Sequence, residues 1–189
     1  MEYSIEKIDE TNYSLFDDMV FFRINGRERN ADEQMHAGID TGVYKTLKDR
    51  NLYIFAAKTD NQPPQSGRGM VVPVRNLTRG LIPRPKGRGI KPLAYNKFIG
   101  WISLVYIPKV GRTNGRGYLY VDELWVSPAY RKNGIAYSLM EKGNTVSNEL
   151  NTLGLRLYVD TDNDEAFSLY KKCGYNVQRN AIFMEKESS

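Results

Sequence analysis

The chain has 189 residues, 41% hydrophobic and 26% charged, which is typical of a globular domain and excludes a disordered or collagen-like protein. Its single cysteine, Cys173, excludes an intrachain disulfide and a thiolate zinc cluster, and no metal site is predicted. The lone cysteine also favours a reducing compartment, so we expect a cytoplasmic protein. No apolar run is long enough to span a bilayer, so we expect no membrane partner.

The net charge of +5 is unevenly distributed along the chain. Residues 61–121 contain no Asp or Glu but many Arg and Lys. Such a region favours an anionic partner, including nucleic acid, although a solvated basic loop has the same composition. Residues 60–96, rich in Pro, Gly and Arg, are too long for an ordinary loop. We interpret them as an insertion in a single domain that covers 1–189.

Hydrophobic periodicity predicts the elements of the first two thirds of the chain. A short strand over Tyr3 to Ile8 precedes helices over Thr11 to Arg23 and Asn30 to Lys48. Asn30 and Glu33 resemble a capping box at the start of the second helix. Three strands follow at 52–57, 98–107 and 118–126, with a short hairpin near 71–74 and a hairpin connection at 108–117.

After Val126 the pattern alternates between helices and strands. A helix from Gly134 to Leu150 carries an apolar stripe that consists of Ile135, Leu139, Val146 and Leu150. A second helix is capped by Asp162 or Asn163 and terminated by Gly174. The remaining strands are predicted at 155–160, 175–178 and 181–186. This alternation predicts an α/β (α+β) fold, a mixed sheet flanked by helices.

The stretch RKNGIA, residues 131–136, follows a predicted strand and opens a predicted helix. Backbone N–H groups at a helix N-terminus lack intrahelical acceptors, and the helix dipole makes that end positive, so a phosphate or pyrophosphate is a suitable ligand. Gly134 lets a ligand approach the main chain, while Arg131 and Lys132 add charge at the rim. Taken alone, the stretch favours a simple turn, because many helices start near a Gly and the stretch is neither a Walker loop nor a dinucleotide fingerprint.

Two motifs together resemble the GNAT superfamily of N-acetyltransferases. VDELWVSPAYRKNGIAYSLM is similar to the family's acyl-CoA-binding motif, a strand ending in V-x-P, then [RQ]-x-x-G-x-[GA] and a helix. Its matching residues are Val126, Pro128, Arg131, Gly134 and Ala136. NDEAFSLYKKCGY is similar to a second family motif, through Asn163, Ala166, Leu169, Tyr170, Lys172, Gly174 and Tyr175. The resemblance covers about 98–186, and the insertion departs from it.

The resemblance implies a mostly antiparallel sheet with helices on both faces and two central strands that splay apart. The pantetheine arm of acetyl-CoA would enter the gap and pair with exposed main chain of Leu124, Trp125 and Val126. Its pyrophosphate would lie on the turn amides, which belong to Arg131, Lys132, Asn133, Gly134, Ile135 and Ala136. Asn163 would contact the cofactor arm.

The implied reaction is direct acetyl transfer to a primary amine. Tyr170 has the family's general-acid position, and a strand amide near Val126 would polarise the thioester carbonyl. Glu123 is the candidate base, directly or through water, and Asp122 is its competitor. A β-bulge would explain why these two polar residues interrupt an apolar strand. Because neighbours on a strand point to opposite faces, only one of them is expected to face the cleft.

The acceptor is less defined by the sequence than the donor. Tyr158 and Asp160, on the following strand, are expected to line the acceptor pocket together with Asp122. The acceptor stays open between a small amine, a protein amine and an aminoacyl-tRNA, and the oligomeric state between monomer and homodimer. Two other interpretations stay open: a non-catalytic acyl-CoA-binding module on the same fold, and a nucleic-acid-associated protein that uses the basic 61–121 region.

Overall fold

The computed structural model describes residues 1–35, 51–60, 97–111 and 115–178. Their strands form one sheet in chain order, with β1 to β4 antiparallel and β5 parallel to β4. The strands are β1 Ser4–Lys7, β2 Leu52–Thr59, β3 Lys97–Ile107, β4 Tyr118–Val126 and β5 Leu155–Arg156. The helices are α1 Tyr13–Asn25, α2 Ala31–Met35, α3 Ile135–Glu149 and α4 Asp164–Lys172, with a 3-10 turn at Pro128–Tyr130.

Helices cover both faces of the sheet because the central strands alternate apolar side chains between the two sides. On one face, Trp101 of β3 packs against Phe16 of α1, with ring centroids 5.7 Å apart. On the other, Ile102 and Leu104 of the same strand belong to a buried cluster with Leu139 of α3. The predicted fold, a mixed and mostly antiparallel sheet with helices on both faces, is confirmed.

Close packing holds α3 against the sheet. A Cβ at Gly143 would come within 3.2 Å of the Leu155 Cδ2 atom, so the absence of a side chain allows the approach. Of the predicted apolar stripe, Ile135, Leu139 and Val146 are buried. Leu150 is 37% exposed because it follows the end of the helix. This packing fixes the start of α3 beside the end of β4, where the candidate site lies.

The predicted capping box is confirmed at the start of α2. The Glu33 N–H donates to Asn30 Oδ1 at 2.9 Å, and the Asn30 N–H donates to Glu33 Oε2 at 3.0 Å. Other expectations lie outside the described residues. They are the continuation of this helix to Lys48, the hairpin near 71–74, the 61–96 part of the insertion and the strand at 181–186.

Two predicted strands differ from the structure. The run predicted over 155–160 pairs with β4 only at Leu155 and Arg156, because the two strands diverge beyond that point. Residues 175–178 form no strand, and the segment expected to pair with them, 181–186, lies beyond the described part of the chain. Within the described ranges, no helix has the length and apolar character needed to cross a bilayer.

Candidate active site

A gap opens where β4 and β5 part. The two strands pair at Leu119 with Leu155 and at Tyr120 with Arg156, and no later pair joins them among the described residues. β4 continues to Val126, so its second half has β3 on one side only. The splayed central strands expected for this fold are therefore present.

The register of β3 and β4 decides which backbone groups face this gap. The Ser127 N–H donates to the Ile99 carbonyl at 2.8 Å, and facing residues of an antiparallel pair alternate between exchanging hydrogen bonds and exchanging none. Trp125 is therefore bonded to β3, whereas Leu124 and Val126 direct their N–H groups away from it. Of the three residues expected to expose main chain, Leu124 and Val126 present it to the gap and Trp125 does not.

The turn after β4 presents backbone N–H groups at the start of α3. Two residues have left-handed backbone, Lys132 with φ 63° and Gly134 with φ 80°. The first intrahelical bond runs from the Ser138 N–H to the Gly134 carbonyl, so the N–H groups of the preceding helical residues have no acceptor in the helix. A Cβ at Gly134 would have no atom of the described chain within 4 Å. The turn therefore offers open space to an anion.

Side chains brace this turn. The Arg131 Nε donates to the Val126 carbonyl at 3.1 Å, and the Asn133 Nδ2 donates to the carbonyls of Tyr130 and Arg131 at 3.1 and 2.9 Å. Lys132 forms an exposed ion pair with Glu165 of α4 at 3.2 Å. Asn133 thus shapes the loop through its side chain, while Lys132 connects it to the next helix of the site.

α4 begins at the predicted cap. The Asn163 Oδ1 accepts a hydrogen bond from the Ala166 N–H at 3.1 Å. The cap uses the oxygen of the side-chain amide and leaves its Nδ2 group to donate to a ligand. Asp162, the alternative cap, does not have this role.

α4 ends at Gly174 in a left-handed conformation, and the Tyr175 N–H donates to the Tyr170 carbonyl. In this Schellman ending the ring centroids of Tyr170 and Tyr175 lie 6.0 Å apart. Both side chains pack against the buried cluster that contains Leu139 of α3, called here the α3 cluster. Burial, and secondarily the neighbouring Cys173, raises the pKa of Tyr170 above its ordinary value. A phenol with a raised pKa keeps its proton at neutral pH and can donate it.

The two candidate carboxylates lie on one face of the sheet, contrary to the expectation that only one would face the cleft. Ser103 pairs with Glu123 and Leu104 with Val121, so Asp122 is the extra residue of the predicted bulge, which is confirmed. The bulge interrupts the two-residue period of the strand. The Ser103 Oγ donates to Asp122 Oδ2 at 3.2 Å on the α1 side of the sheet.

Glu123 lies on the same α1 side, where its contacts were not predicted. The Trp101 Nε1 donates to its Oε2 atom at 3.1 Å, and Arg23 of α1 forms an ion pair with its Oε1 atom. The sequence identified neither Trp101 nor Arg23 as a partner of Glu123. No local pattern could have revealed this contact, since α1 and β4 are far apart in the chain.

Tyr158 and Asp160 follow β5 and are exposed. Tyr158 is 75% exposed and stacks on Tyr120 of β4, with ring centroids 6.4 Å apart. The Asp160 carbonyl accepts the Asn163 N–H at 3.0 Å, which links it to the α4 cap. No contact in the described structure joins either side chain to Glu123.

The site thus combines groups from both faces of the sheet. Tyr170 packs with the α3 cluster, and Glu123 lies on the α1 side. The gap between β4 and β5, with the Leu124 and Val126 main chain along it, lies between β4, which carries Glu123, and the strand that leads to α4, which carries Tyr170. A donor on one side and a carboxylate on the other are the groups needed to move protons during a transfer reaction.

The fold and the parted strands define a mixed-sheet domain in which the N–H groups at the start of α3 have no acceptor in the helix. The sequence model of the acetyltransferase (GNAT) family matches residues 81–175. The chain belongs to this family, whose members are acyltransferases that use acetyl-CoA, so the expected family, enzyme class and cofactor are confirmed.

Known proteins resemble this chain in part of their sequence or in their fold. The chain is 33% identical over 76 residues to the N-terminal acetyltransferase B complex catalytic subunit naa20 of Schizosaccharomyces pombe, a match that covers 39% of this chain and only 42% of that relative. The aminoglycoside acetyltransferase meta-AAC0020 from an uncultured soil sample superposes with a TM-score of 0.66 at 14% identity, over 99% of this chain and 97% of that one. AAC(6')-Iy, bound to a CoA bisubstrate analog, superposes with 0.62 at 12% identity over both whole chains.

Proposed function

We propose that the protein is an acetyl-CoA-dependent N-acetyltransferase that transfers the acetyl group directly to a primary amine. The observation that carries the proposal is the parting of β4 and β5 above the free N–H groups that open α3. A diphosphate is a suitable ligand for this turn, because the N–H groups that open α3 have no acceptor in the helix, the space at a Gly134 Cβ is open, and the helix dipole favours negative charge. Arg131, Lys132, Asn133, Gly134, Ile135 and Ala136 are the residues that would hold it.

Acetyl-CoA supplies an acetyl thioester whose carbonyl carbon an amine can attack. The Leu124 and Val126 main chain would pair with the carrier's amide groups, and the Val126 N–H would polarise the carbonyl oxygen. Asn163 would donate to the carrier through Nδ2. Tyr170 would give its proton to the departing sulfur, and Glu123 would take a proton from the acceptor ammonium through water.

The acceptor we place first is the α-amine of a polypeptide. The support is the similarity to naa20, whose name describes an N-terminal acetyltransferase. Asp122, Tyr158 and Asp160 are exposed on the α1 side of β4 and after β5, and we propose that they line the acceptor site. Small amines and aminoacyl-tRNA are the competing acceptors, and we place the reaction in the cytoplasm.

A thiol-release assay with a matched acceptor panel tests this function. With peptides that have a free N-terminus, the protein should release coenzyme A from acetyl-CoA. With the same peptides carrying a blocked N-terminus and a free lysine, it should release none. Polyamines, aminoglycosides and a charged tRNA complete the panel. Carrier binding without turnover on any acceptor would instead support the non-catalytic module.

A further inference from the structure

Two side chains from two other elements contact the carboxylate of Glu123 on β4. Arg23, in the last turn of α1, pairs with Glu123 Oε1, and Trp101 of β3 donates to Oε2 at 3.1 Å. The Arg23 guanidinium carbon also lies 5.2 Å from the centroid of the Trp101 ring. Each oxygen of Glu123 is therefore held by a donor on a different element, and the two donors contact each other.

The neighbouring carboxylate has no such restraint. Asp122 is exposed and accepts one hydrogen bond, from Ser103, and no cation of the described residues pairs with it. Because the bulge places Asp122 and Glu123 on one face, each is a like charge beside the other. Arg23 supplies the opposite charge at Glu123, which favours the ionised form of that carboxylate.

Burial strengthens this contact. The side chains of Arg23 and Glu123 are 38% and 34% exposed, and burial lowers the pKa of Arg23 from its ordinary value. The guanidinium nevertheless stays protonated at neutral pH. A partly desolvated charge pair interacts more strongly than one in water, so Arg23 is placed to influence the charge and orientation of Glu123.

We propose that Arg23 is a positioning residue that, together with Trp101, holds Glu123 ionised and in one orientation on the α1 side of the parted strands. The base role of Glu123 rests on the proposed function. In that role one proton leaves the acceptor ammonium, passes through a water molecule and is bound by the carboxylate, which leaves a neutral amine. Asp122, without a cation, binds the acceptor's charge but does not replace Glu123.

On this face Arg23 of α1 pairs with Glu123, Asp122 precedes it on β4, and Arg156 lies on β5, while β3 contributes the uncharged Trp101 and Ser103. The Arg156 Nη1 donates a hydrogen bond to the Tyr120 hydroxyl at 3.3 Å. Asp17 and Asp18 of α1 are paired with Arg29. Removal of the Arg23 charge is therefore expected to change the protonation and orientation of the Glu123 carboxylate.

The indole N–H of Trp101 provides a readout that needs no activity. The chain has two Trp residues, so two indole signals are expected in a nitrogen–proton spectrum, and Trp101→Phe assigns one. In the wild type the Trp101 signal should change with pH as Glu123 binds a proton, and Glu123→Gln should abolish that change. Arg23→Gln should move its midpoint up by about 1 pH unit, since an opposite charge is lost. Arg23→Lys, which keeps the charge, should move it less.

Arg27→Gln is the matched control, because it breaks an exposed bidentate pair with Glu33 near the end of the same helix. It should leave the midpoint unchanged. An unmoved midpoint in Arg23→Gln, or a pH response that survives Glu123→Gln, would overturn the proposal. If Arg23→Gln does not fold, Arg23→Met, which keeps the apolar stem over Trp101, replaces it.

The activity profile tests whether the held carboxylate is used. In an active enzyme, Arg23→Gln should move the acid limb of kcat/KM in the same direction as the indole midpoint, with a smaller effect in Arg23→Lys. A moved midpoint with an unmoved limb would overturn the proposal, because Glu123 would then be held but not used. No turnover by the wild type would defeat the proposed function, and the indole titration would still decide whether Arg23 controls Glu123.

Discussion

Gly134 combines a backbone requirement with a proposed ligand contact. Its φ of 80° is in the left-handed region that favours glycine, and the space above it is open. The neighbouring Lys132 has the same left-handed geometry with a side chain, which shows how tightly this turn is folded. The effect of a substitution at Gly134 must therefore be compared with that of a second substitution that strains the left-handed backbone equally.

Gly134→Asp should weaken carrier binding through charge. Asp and Asn tolerate left-handed backbone similarly, so Gly134→Asn is the matched control. The carboxylate of Asp would lie where the diphosphate is proposed to bind, and we expect a loss of affinity at least tenfold larger than for Asn, about 1.4 kcal/mol. Calorimetric titration with coenzyme A measures both. Equal affinities for the two variants would remove the diphosphate from this turn.

Tyr170→Phe should lower turnover more than carrier affinity. Since burial raises the pKa of Tyr170, the phenol remains protonated through neutral pH, and its loss removes a donor. A positioned acid typically contributes about 10²- to 10⁴-fold, so we expect kcat to fall by at least tenfold while the dissociation constant changes little. Tyr175→Phe, which removes the neighbouring hydroxyl, is the control. Unchanged kcat in Tyr170→Phe would end its assignment as the acid.

The residues of the site differ in how far the sequence could predict them. The turn from Arg131 to Ala136 is a local feature, because a Gly between a strand and a helix marks a position where the chain can adopt left-handed backbone. The contact between Arg23 and Glu123 joins residues one hundred positions apart, and nothing local in either segment indicates the other. Side-chain partners across a sheet depend on register and helix placement, which a single sequence does not specify.

At the scale of elements, β4 and α4 position the candidate site. The bulge in β4 was predictable, since polar residues interrupt an apolar strand, but its consequence was not. The two-residue period implied opposite faces for Asp122 and Glu123, and the extra residue cancels that period. The bounds of β5 were also overestimated, because alternation shows which face a residue prefers and not whether a partner strand is present.

Asn163 should have two separable roles at the start of α4. Asn163→Ala removes the cap to the Ala166 N–H and should lower the free energy of unfolding by about 1 kcal/mol. Asn163→Asp keeps a capping oxygen and should unfold at the wild-type urea concentration, yet it loses the Nδ2 donor and should bind coenzyme A more weakly. If Asn163→Asp lowers the free energy of unfolding as much as Asn163→Ala does, the capping hydrogen bond is not the source of the stability.

At the scale of the whole molecule, buried phenols should make stability depend on alkaline pH. Burial raises the pKa of both Tyr170 and Tyr175, so the folded state retains protons that the unfolded chain loses near pH 10. The free energy of unfolding should therefore be unaffected below about pH 10 and decrease as the pH rises beyond it.

Tyr175→Phe should reduce this alkaline loss. The Tyr175 hydroxyl is buried without a partner among the described residues, so its removal should not destabilise the protein at neutral pH. Urea unfolding at pH 7 and at two values above 10 measures both effects. An alkaline decrease as steep as in the wild type would show that other groups cause it.

The fold as a whole was predictable because its signals are redundant. The amphipathic helices, the apolar strands and two motifs in order all indicate one mixed sheet, and an error in one element does not change the topology. The parting of β4 and β5 was available only through the family resemblance, since periodicity cannot show where two strands stop pairing.

Amide hydrogen exchange at the end of β4 tests most directly whether the parted strands hold the thioester carrier. With saturating acetyl-CoA, the Leu124 and Val126 amides should exchange about tenfold or more slowly than in the free protein, while Trp125, bonded to β3, stays slow in both states. Leu124 and Val126 rates that do not change on saturation, or that equal the Trp125 rate before the carrier is added, would contradict binding in the gap.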